Sequence, residues 1–174
     1  MALCIKHNIG FSSATGKQTV FIHKEAPPTP TQPKPRSQTV PKEYVEAFFK
    51  GRPNTTVLFV DDHKNLRMVG LHLLQELGFT NILLAGDGEE ALKLYQEFGH
   101  EIVLVVSDFQ MPLMNGEELF YKLKQINGSL RMVLCSGSDP GDCLHSLKRS
   151  GLRSFLPKPF MLDDFGLAVA NALS

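Results

Sequence analysis

Four apolar runs in the last two-thirds of the chain each lead into charged or hydroxyl side chains. The runs cover residues 56–60, 102–106, 132–135 and 154–156. The side chains that follow them are Asp61 and Asp62, then Asp108, then Ser136, and finally Lys158. Because the carboxyl ends of parallel strands share one edge of an α/β sheet, these side chains are predicted to converge there. Three carboxylates, one hydroxyl and one ammonium in one place can hold a divalent cation and a phosphoryl group.

Strand-like and helix-like patterns alternate five times after residue 54. The predicted strands are 56–60, 81–85, 102–106, 132–135 and 154–156, and the predicted helices are 65–77, 89–98, 117–126, 140–150 and 163–173. In the first helix the apolar residues at helical spacing are Leu66, Val69, Leu73 and Leu77. Asp163 is predicted to be the N-cap of the last helix, with Asp164 in its first turn. This order of elements favours a doubly wound α/β fold.

The first 53 residues differ from the rest in composition. They hold eight Lys and Arg against three Asp and Glu, a net charge of +5, whereas residues 54–174 hold ten against fifteen, a net charge of −5. Residues 27–35 are rich in Pro and Thr, which predicts a semi-rigid spacer. A helix over 43–50 and a hairpin turning near 14–17 are further predictions. We therefore expect a basic, partly disordered extension (1–53), able to contact acidic surfaces, before a folded domain (54–174).

The bulk features indicate a soluble cytoplasmic protein. Apolar residues make up 43% of the chain, no apolar run reaches the length of a membrane span, and the first ten residues lack a secretory signal. The three cysteines have no metal-type spacing, and Cys135 is predicted to be a buried thiol. The folded domain is acidic and shows no recognition motif, so direct nucleic-acid binding is not expected.

The acidic pair Asp61-Asp62 can be interpreted in two ways. Taken alone, Asp61 would cap the following helix and Asp62 would be solvated. Neighbouring carboxylates repel one another unless a cation or a proton lies between them. With Asp108 expected on the adjacent strand end, a site for a hard divalent cation, Mg²⁺ or Mn²⁺, is the favoured interpretation.

Five segments of this sequence resemble the receiver domain of response regulators (CheY-like) in two-component signalling. The segments are 57–62, 85–92, 107–116, 134–137 and 155–160. Their order and spacing extend the resemblance over residues 54–174. It implies a flavodoxin-like (βα)₅ fold with a five-stranded parallel sheet in the order 2-1-3-4-5.

The resemblance also implies roles at the matching positions. Asp108 would accept the phosphoryl group. Asp62, Asp108 and the backbone carbonyl of Gln110 would ligate Mg²⁺, and Asp61 would hold the ion mainly through water. The metal would neutralise the oxygens of the transferring group.

Three further residues would respond to the modification. Lys158, in a cis bond to Pro159, would pair first with the acceptor carboxylate and then with the phosphoryl oxygens. Ser136 would donate its hydroxyl to the phosphoryl group and move inward. Phe155 would rotate inward in step, so that the surface built from the fourth helix, fifth strand and fifth helix changes.

The implied function is a phospho-accepting switch without a DNA-binding output domain. The phosphoryl donor would be a histidine kinase or a histidine phosphotransfer protein, and the target would be another protein. Enzyme activity beyond self-catalysed phosphoryl transfer and slow autodephosphorylation is not expected. One alternative is a phosphorylation-independent scaffold, although none of the acidic or acceptor residues is missing. Another is a haloacid-dehalogenase-like phosphohydrolase, but these enzymes need Asp-x-Asp and Gln110 occupies the second position.

Overall fold

The computed structural model describes residues 55–174, which form five strands and five helices. The strands are β1 (Thr56–Val60), β2 (Asn81–Ala85), β3 (Ile102–Asp108), β4 (Met132–Ser136) and β5 (Ser154–Pro157). The helices are α1 (Lys64–Glu76), α2 (Gly88–Phe98), α3 (Gly116–Ile126), α4 (Asp142–Arg149) and α5 (Leu162–Leu173). Every strand and helix predicted after residue 54 is confirmed, and β3, β4 and β5 run one or two residues further than predicted.

The strands form one parallel sheet in the order β2-β1-β3-β4-β5. This is the flavodoxin-like, doubly wound α/β arrangement that the sequence predicted. The register brings Val60 beside Ser107, Asp108 beside Cys135, and Ser136 beside Pro157. The strand ends that carry the polar residues are therefore aligned along one edge.

A hydrophobic core lies on each face of the sheet, because successive strand side chains point to opposite faces. In β1, Leu58 and Val60 belong to the core shared with α2, α3 and α4, whereas Val57 and Phe59 belong to the core shared with α1 and α5. All five residues of β1 are buried. Burial on both faces explains why the strand has no polar alternation in its sequence.

The buried side of α1 differs from the apolar stripe that the sequence suggested. Leu66 and Val69 are 41% and 51% exposed, and the residues that face the sheet include Gly70 and Leu74. Gly70 lies directly against the ring of Phe59, so close that a Cβ there would be 2.1 Å from the ring carbon Cζ. Gly70 therefore sets the orientation of α1 on the sheet. A glycine gives no signal in a pattern of hydrophobic periodicity.

Every helix begins one or two residues from its predicted start, and two of these differences have a local cause. α4 begins at Asp142 rather than Pro140, because Gly141 has φ = +56°, which interrupts a right-handed helix. The prediction that Asp163 caps α5 is wrong, since the N-cap is Met161 and the helix begins at Leu162. The Asp164 carboxylate instead accepts a hydrogen bond from the Met161 N–H at 3.2 Å, which fixes the start of α5.

The predictions for the extension lie outside the described residues. They comprise the Pro-rich spacer, the hairpin, the helix over 43–50 and the division of the chain at residue 53. In the described part, none of the helices has both the length and the apolar character that a membrane crossing requires.

Candidate functional site

The carboxyl edge of the sheet brings together two buried carboxylates and one ammonium. Asp61 follows β1 and is 2% exposed, and Asp108 ends β3 and is 9% exposed. Lys158, in the loop after β5, places Nζ 2.9 Å from Asp61 Oδ2 and 3.1 Å from Asp108 Oδ1. One lysine therefore bridges residues from two neighbouring strands, as the strand-end argument predicted.

Asp108 is also held by its own loop. The Phe109 N–H donates to Asp108 Oδ1 at 2.9 Å, on the same oxygen that Lys158 contacts. Among the described residues, no hydrogen bond or ion pair reaches Oδ2. The described residues thus hold this carboxylate through one of its two oxygens.

Asp62, the second acidic residue after β1, points to different neighbours. It is partly exposed, and its Oδ1 lies 2.9 Å from Nδ1 of His63. The Arg67 guanidinium donates to the backbone carbonyls of both Asp61 and Asp62, at 2.6 and 3.1 Å. Arg67 therefore anchors the main chain of the acidic pair through these carbonyls, while the carboxylates contact Lys158 and His63.

Ser136 ends β4 and is buried, with its hydroxyl engaged in its own loop. Oγ donates to the backbone carbonyl of Ser138 at 2.8 Å and accepts from the Ser138 N–H at 3.2 Å. The Lys158 N–H donates to the Ser136 carbonyl at 2.7 Å, which ties the lysine loop to β4. The Lys158-Pro159 bond is cis, as the resemblance implied.

A family model described as the response regulator receiver domain matches residues 57–170. The chain belongs to this family. This is the receiver domain of two-component systems that the sequence resemblance implied.

Two curated relatives illustrate the relationship. The receiver is 32% identical over 118 residues to the chemotaxis protein CheY of Bacillus subtilis (strain 168), covering 68% of this chain and 97% of that protein. It is 35% identical over 120 residues to the sensor kinase CckA of Brucella abortus (strain 2308), covering 69% of this chain but only 13% of the kinase. The similarity to the kinase therefore concerns one part of a much longer protein.

Solved structures give the same result. The receiver domain of the hybrid histidine kinase CckA is 32% identical, with a TM-score of 0.57 and coverage of 68% of this chain and 99% of that one. CheY in the CheX-CheY-BeF3-Mg complex from Borrelia burgdorferi has a TM-score of 0.66 at 24% identity, with coverage of 69% and 90%. At that identity the second structure supports the fold alone.

The electrostatics of the receiver site follow from burial and from the shared lysine. Burial raises the pKa of the Asp108 carboxyl, and Lys158 only partly opposes this effect. Burial alone would lower the pKa of Lys158, but its hydrogen bond to Asp61 and the charges of Asp108 and Asp61 outweigh burial and raise it. Lys158 is therefore held in the charged form between two carboxylates.

The raised pKa of Asp108 predicts a stability difference that depends on pH. We expect Asp108→Asn to raise the free energy of unfolding near pH 8, because it removes a charge that burial disfavours. Because the folded protein binds the Asp108 proton more tightly than the unfolded chain, ionisation of this carboxyl favours unfolding. That penalty is absent below the unfolded-state pKa of about 3.9 and complete above the folded-state value, so the gain should shrink as the pH falls through that window.

Urea unfolding of the wild type and Asp108→Asn at several pH values between about 4 and 8 checks this prediction. A variant less stable than the wild type near pH 8 would contradict it, since the ion pair with Lys158 would then outweigh the penalty of burying the Asp108 charge.

The donor set suits a divalent cation. Asp61, Asp62 and Asp108 offer three carboxylates at one edge, and Lys158 contributes an ammonium that contacts Asp61 and Asp108. The charge of Asp61 raises the pKa of Asp108, so these two carboxylates repel one another. A cation bound by carboxylate oxygens would relieve this repulsion.

Two other predicted positions lie outside this cluster. Gln110 is exposed in the loop after β3. Phe155 is half-buried on β5 and packs against the core beneath α2, α3 and α4. Cys135 is confirmed as a buried thiol, and burial raises its pKa to about 12.

Sequence reasoning missed His63 and Arg67. Arg67 carries no signal in the sequence, because its bonds to the main chain depend on how the first turn of α1 meets the end of β1. His63 could have been noticed, since it is a metal-ligand type that directly follows two aspartates. His63, Asp61 and Asp62 form a candidate metal-binding group, and His63 Nδ1 lies 2.9 Å from Asp62 Oδ1.

Proposed function

We propose that this receiver accepts a phosphoryl group on Asp108 and transmits the modification to a partner protein. The observation that carries the proposal is the state of the Asp108 carboxylate. It is buried at a strand end, with Oδ1 held by Lys158 and by the Phe109 N–H and with Oδ2 unengaged by any described residue. A carboxylate oriented in this way is a suitable nucleophile.

The chemistry requires few groups. Asp108 Oδ2 attacks the phosphorus of the donor, a new O–P bond forms, and the bond from phosphorus to the donor's nitrogen or oxygen breaks with its electron pair. The product is an aspartyl phosphate. Lys158 is 3.1 Å from Asp108, so its ammonium can move to the new phosphoryl oxygens and offset their charge.

A divalent cation belongs to the same proposal. Asp62, Asp108 and the Gln110 carbonyl would hold Mg²⁺ or Mn²⁺, with Asp61 acting through water. When bound, the cation supplies positive charge to the oxygens of the transferring group. The chain's own contribution is to fix the backbone of the acidic pair through Arg67 and the acceptor through Phe109.

The switch would begin at Ser136. Among the described residues its hydroxyl bonds only to Ser138, in its own loop, and it would turn towards a phosphoryl group on the adjacent strand. Phe155 lies on β5, which pairs with β4. A movement of the end of β4 would therefore change the packing of the Phe155 ring. Phenylalanine has no hydroxyl, so this response rests on packing.

The similarity to a sensor kinase and to a hybrid histidine kinase supports a histidine kinase or phosphotransfer protein as the donor. A cytoplasmic location would suit such a donor. The downstream partner would be a protein, without direct nucleic-acid binding. Self-catalysed transfer and slow hydrolysis would be the chain's own reactions.

Intact-protein mass spectrometry after incubation with acetyl phosphate and Mg²⁺ tests the proposal. We expect the wild type to gain the mass of one phosphoryl group, and Asp108→Ala to gain none. Asp142→Ala removes an exposed carboxylate from α4 and should behave as the wild type. A chelator should abolish the gain.

Absence of any gain with either Mg²⁺ or Mn²⁺ would refute the proposal and favour a phosphorylation-independent scaffold. Rapid turnover of many equivalents of acetyl phosphate would instead favour a phosphohydrolase. Such an enzyme would have to work without the second Asp of Asp-x-Asp, because the exposed Gln110 occupies that position.

A further inference from the structure

We propose that His63 is a ligand of the cation site, and that the site consequently prefers Mn²⁺ and later first-row transition ions to Mg²⁺. This inference rests on the proposed cation site at the sheet edge. It concerns the identity of the ion and one donor that belongs to this chain, not the phosphoryl chemistry.

The distances fit a shared coordination shell. His63 Nδ1 lies 2.9 Å from Asp62 Oδ1 and 3.9 Å from Asp61 Oδ1, and each of the three residues offers a ligand atom within 4.8 Å of the other two. In an octahedral shell with bonds of about 2.1 Å, adjacent donors are about 3.0 Å apart. His63 Nδ1 and Asp62 Oδ1 therefore have the spacing of two adjacent donors, and Asp61 lies near enough to act through water.

The main chain holds His63 beside the pair. His63 is the N-cap of α1, and its N–H donates to Asp61 Oδ1 at 2.9 Å. Its ring is 72% exposed, so an ion can approach from solvent. Coordination through Nδ1 needs the neutral tautomer with the proton on Nε2, so a bound ion would take the place of the proton that Nδ1 shares with Asp62 Oδ1 in their 2.9 Å hydrogen bond.

The chemistry of the donor decides the ion. Mg²⁺ prefers oxygen ligands, whereas a neutral imidazole suits first-row transition ions, and affinity for such a site rises from Mn²⁺ towards Cu²⁺. An imidazole also adds a ligand without adding negative charge. The preference would thus come from the nitrogen rather than from stronger attraction for all cations.

Metal binding to the full chain, free of any polyhistidine tag, tests this inference. Isothermal titration with the chloride salts of Mn²⁺ and Mg²⁺ should show tighter binding of Mn²⁺ by the wild type. His63→Ala should weaken Mn²⁺ binding about tenfold and change Mg²⁺ binding less than about twofold. His72→Ala is the matched control, because His72 is also exposed on α1 and is not among the atoms of the candidate metal group.

Pulsed electron paramagnetic resonance of the Mn²⁺ protein supplies a direct readout. Nitrogen modulation from a coordinated imidazole should be present in the wild type and His72→Ala, and absent in His63→Ala. His63→Asn keeps a good helix N-cap without an imidazole, so it should also lose the modulation.

Absence of nitrogen modulation in the wild type would overturn the inference. Equal weakening of Mn²⁺ and Mg²⁺ in His63→Ala would do so as well, since it would show that the residue only supports the loop. Phosphoryl acceptance with Mg²⁺ is measured separately. A wild type with nitrogen modulation but no phosphorylation would retain this inference and refute the proposed function, and the reverse result would do the opposite.

Discussion

Replacing Lys158 with methionine is expected to lower the free energy of unfolding by about 2 kcal/mol near pH 8. Asp61 is 2% exposed and Asp108 is nearly as buried, and Lys158 Nζ contacts both. Without the ammonium, two buried carboxylates face each other with no counter-charge between them. Methionine keeps the length and apolar stem of the side chain, so the loss of stability measures the effect of removing the charge. Since Lys158 itself is partly exposed, the effect is smaller than for a fully buried pair.

Urea unfolding measures this loss, and two comparisons isolate its cause. Lys148→Met removes an exposed lysine from α4 and should change stability by less than about 0.5 kcal/mol. The double variant Lys158→Met/Asp108→Asn should recover part of the loss, because only one of the two carboxylates then remains charged. Added Mg²⁺ should stabilise Lys158→Met more than the wild type. If Lys158→Met were as stable as the wild type near pH 8, the electrostatic account of the site would be wrong.

Gly116→Ala is expected to destabilise the receiver by about 2–3 kcal/mol and to impair phosphoryl acceptance. A Cβ at Gly116 would lie 2.5 Å from the Asp108 carbonyl oxygen and 2.9 Å from the Phe109 Cα. Both atoms belong to the main chain that carries the Asp108 carboxylate, so relief of the overlap must move that chain. The Gly116 N–H also donates to the Phe109 carbonyl at 2.9 Å, which ties Gly116 to the loop after Asp108.

Thermal and urea unfolding, together with the acetyl phosphate assay, measure both effects of Gly116→Ala. Gly128→Ala is the matched control, because a Cβ at this exposed position meets nothing within 4 Å. Alanine is a better helix former than glycine, so helix propensity alone would make Gly116→Ala stabilising. If the melting temperature of Gly116→Ala were unchanged, the β3–α3 connection would be able to adjust to the added methyl group. That result would contradict the predicted steric effect.

Much of the fold could be predicted because its signals are local. The runs of Val, Ile and Leu that form β1, β3 and β4 are recognisable because both faces of a parallel sheet are covered. The end of each run placed a functional residue at the carboxyl edge, and the structure brings Asp61, Asp108 and Lys158 together there. The family motifs then supplied the strand order, which hydrophobic patterning alone does not specify.

Two predictions failed, the buried side of α1 and the cap of α5, and both failed because of contacts made in the folded structure. The apolar stripe of α1 suggested that Leu66 and Val69 face the sheet, but the close contact of Gly70 with Phe59 turns the helix away from that orientation. The cap of α5 moved from Asp163 to Met161, because the Asp164 carboxylate reaches the Met161 N–H. Each outcome depends on a neighbour or a local geometry that a periodicity pattern does not describe.

The sequence alone determined which residue types end each strand, the order of strands and helices, and, through its motifs, the family. These properties reside in nearest-neighbour patterns and motif spacing, so they can be read along the chain. Only the tertiary structure decided that Lys158 bridges Asp61, 97 positions away, and Asp108, and that the His63 ring lies beside both aspartates of the pair. Such contacts depend on the register of neighbouring strands and on how loops close over their ends, and these are set when the two faces of the sheet pack.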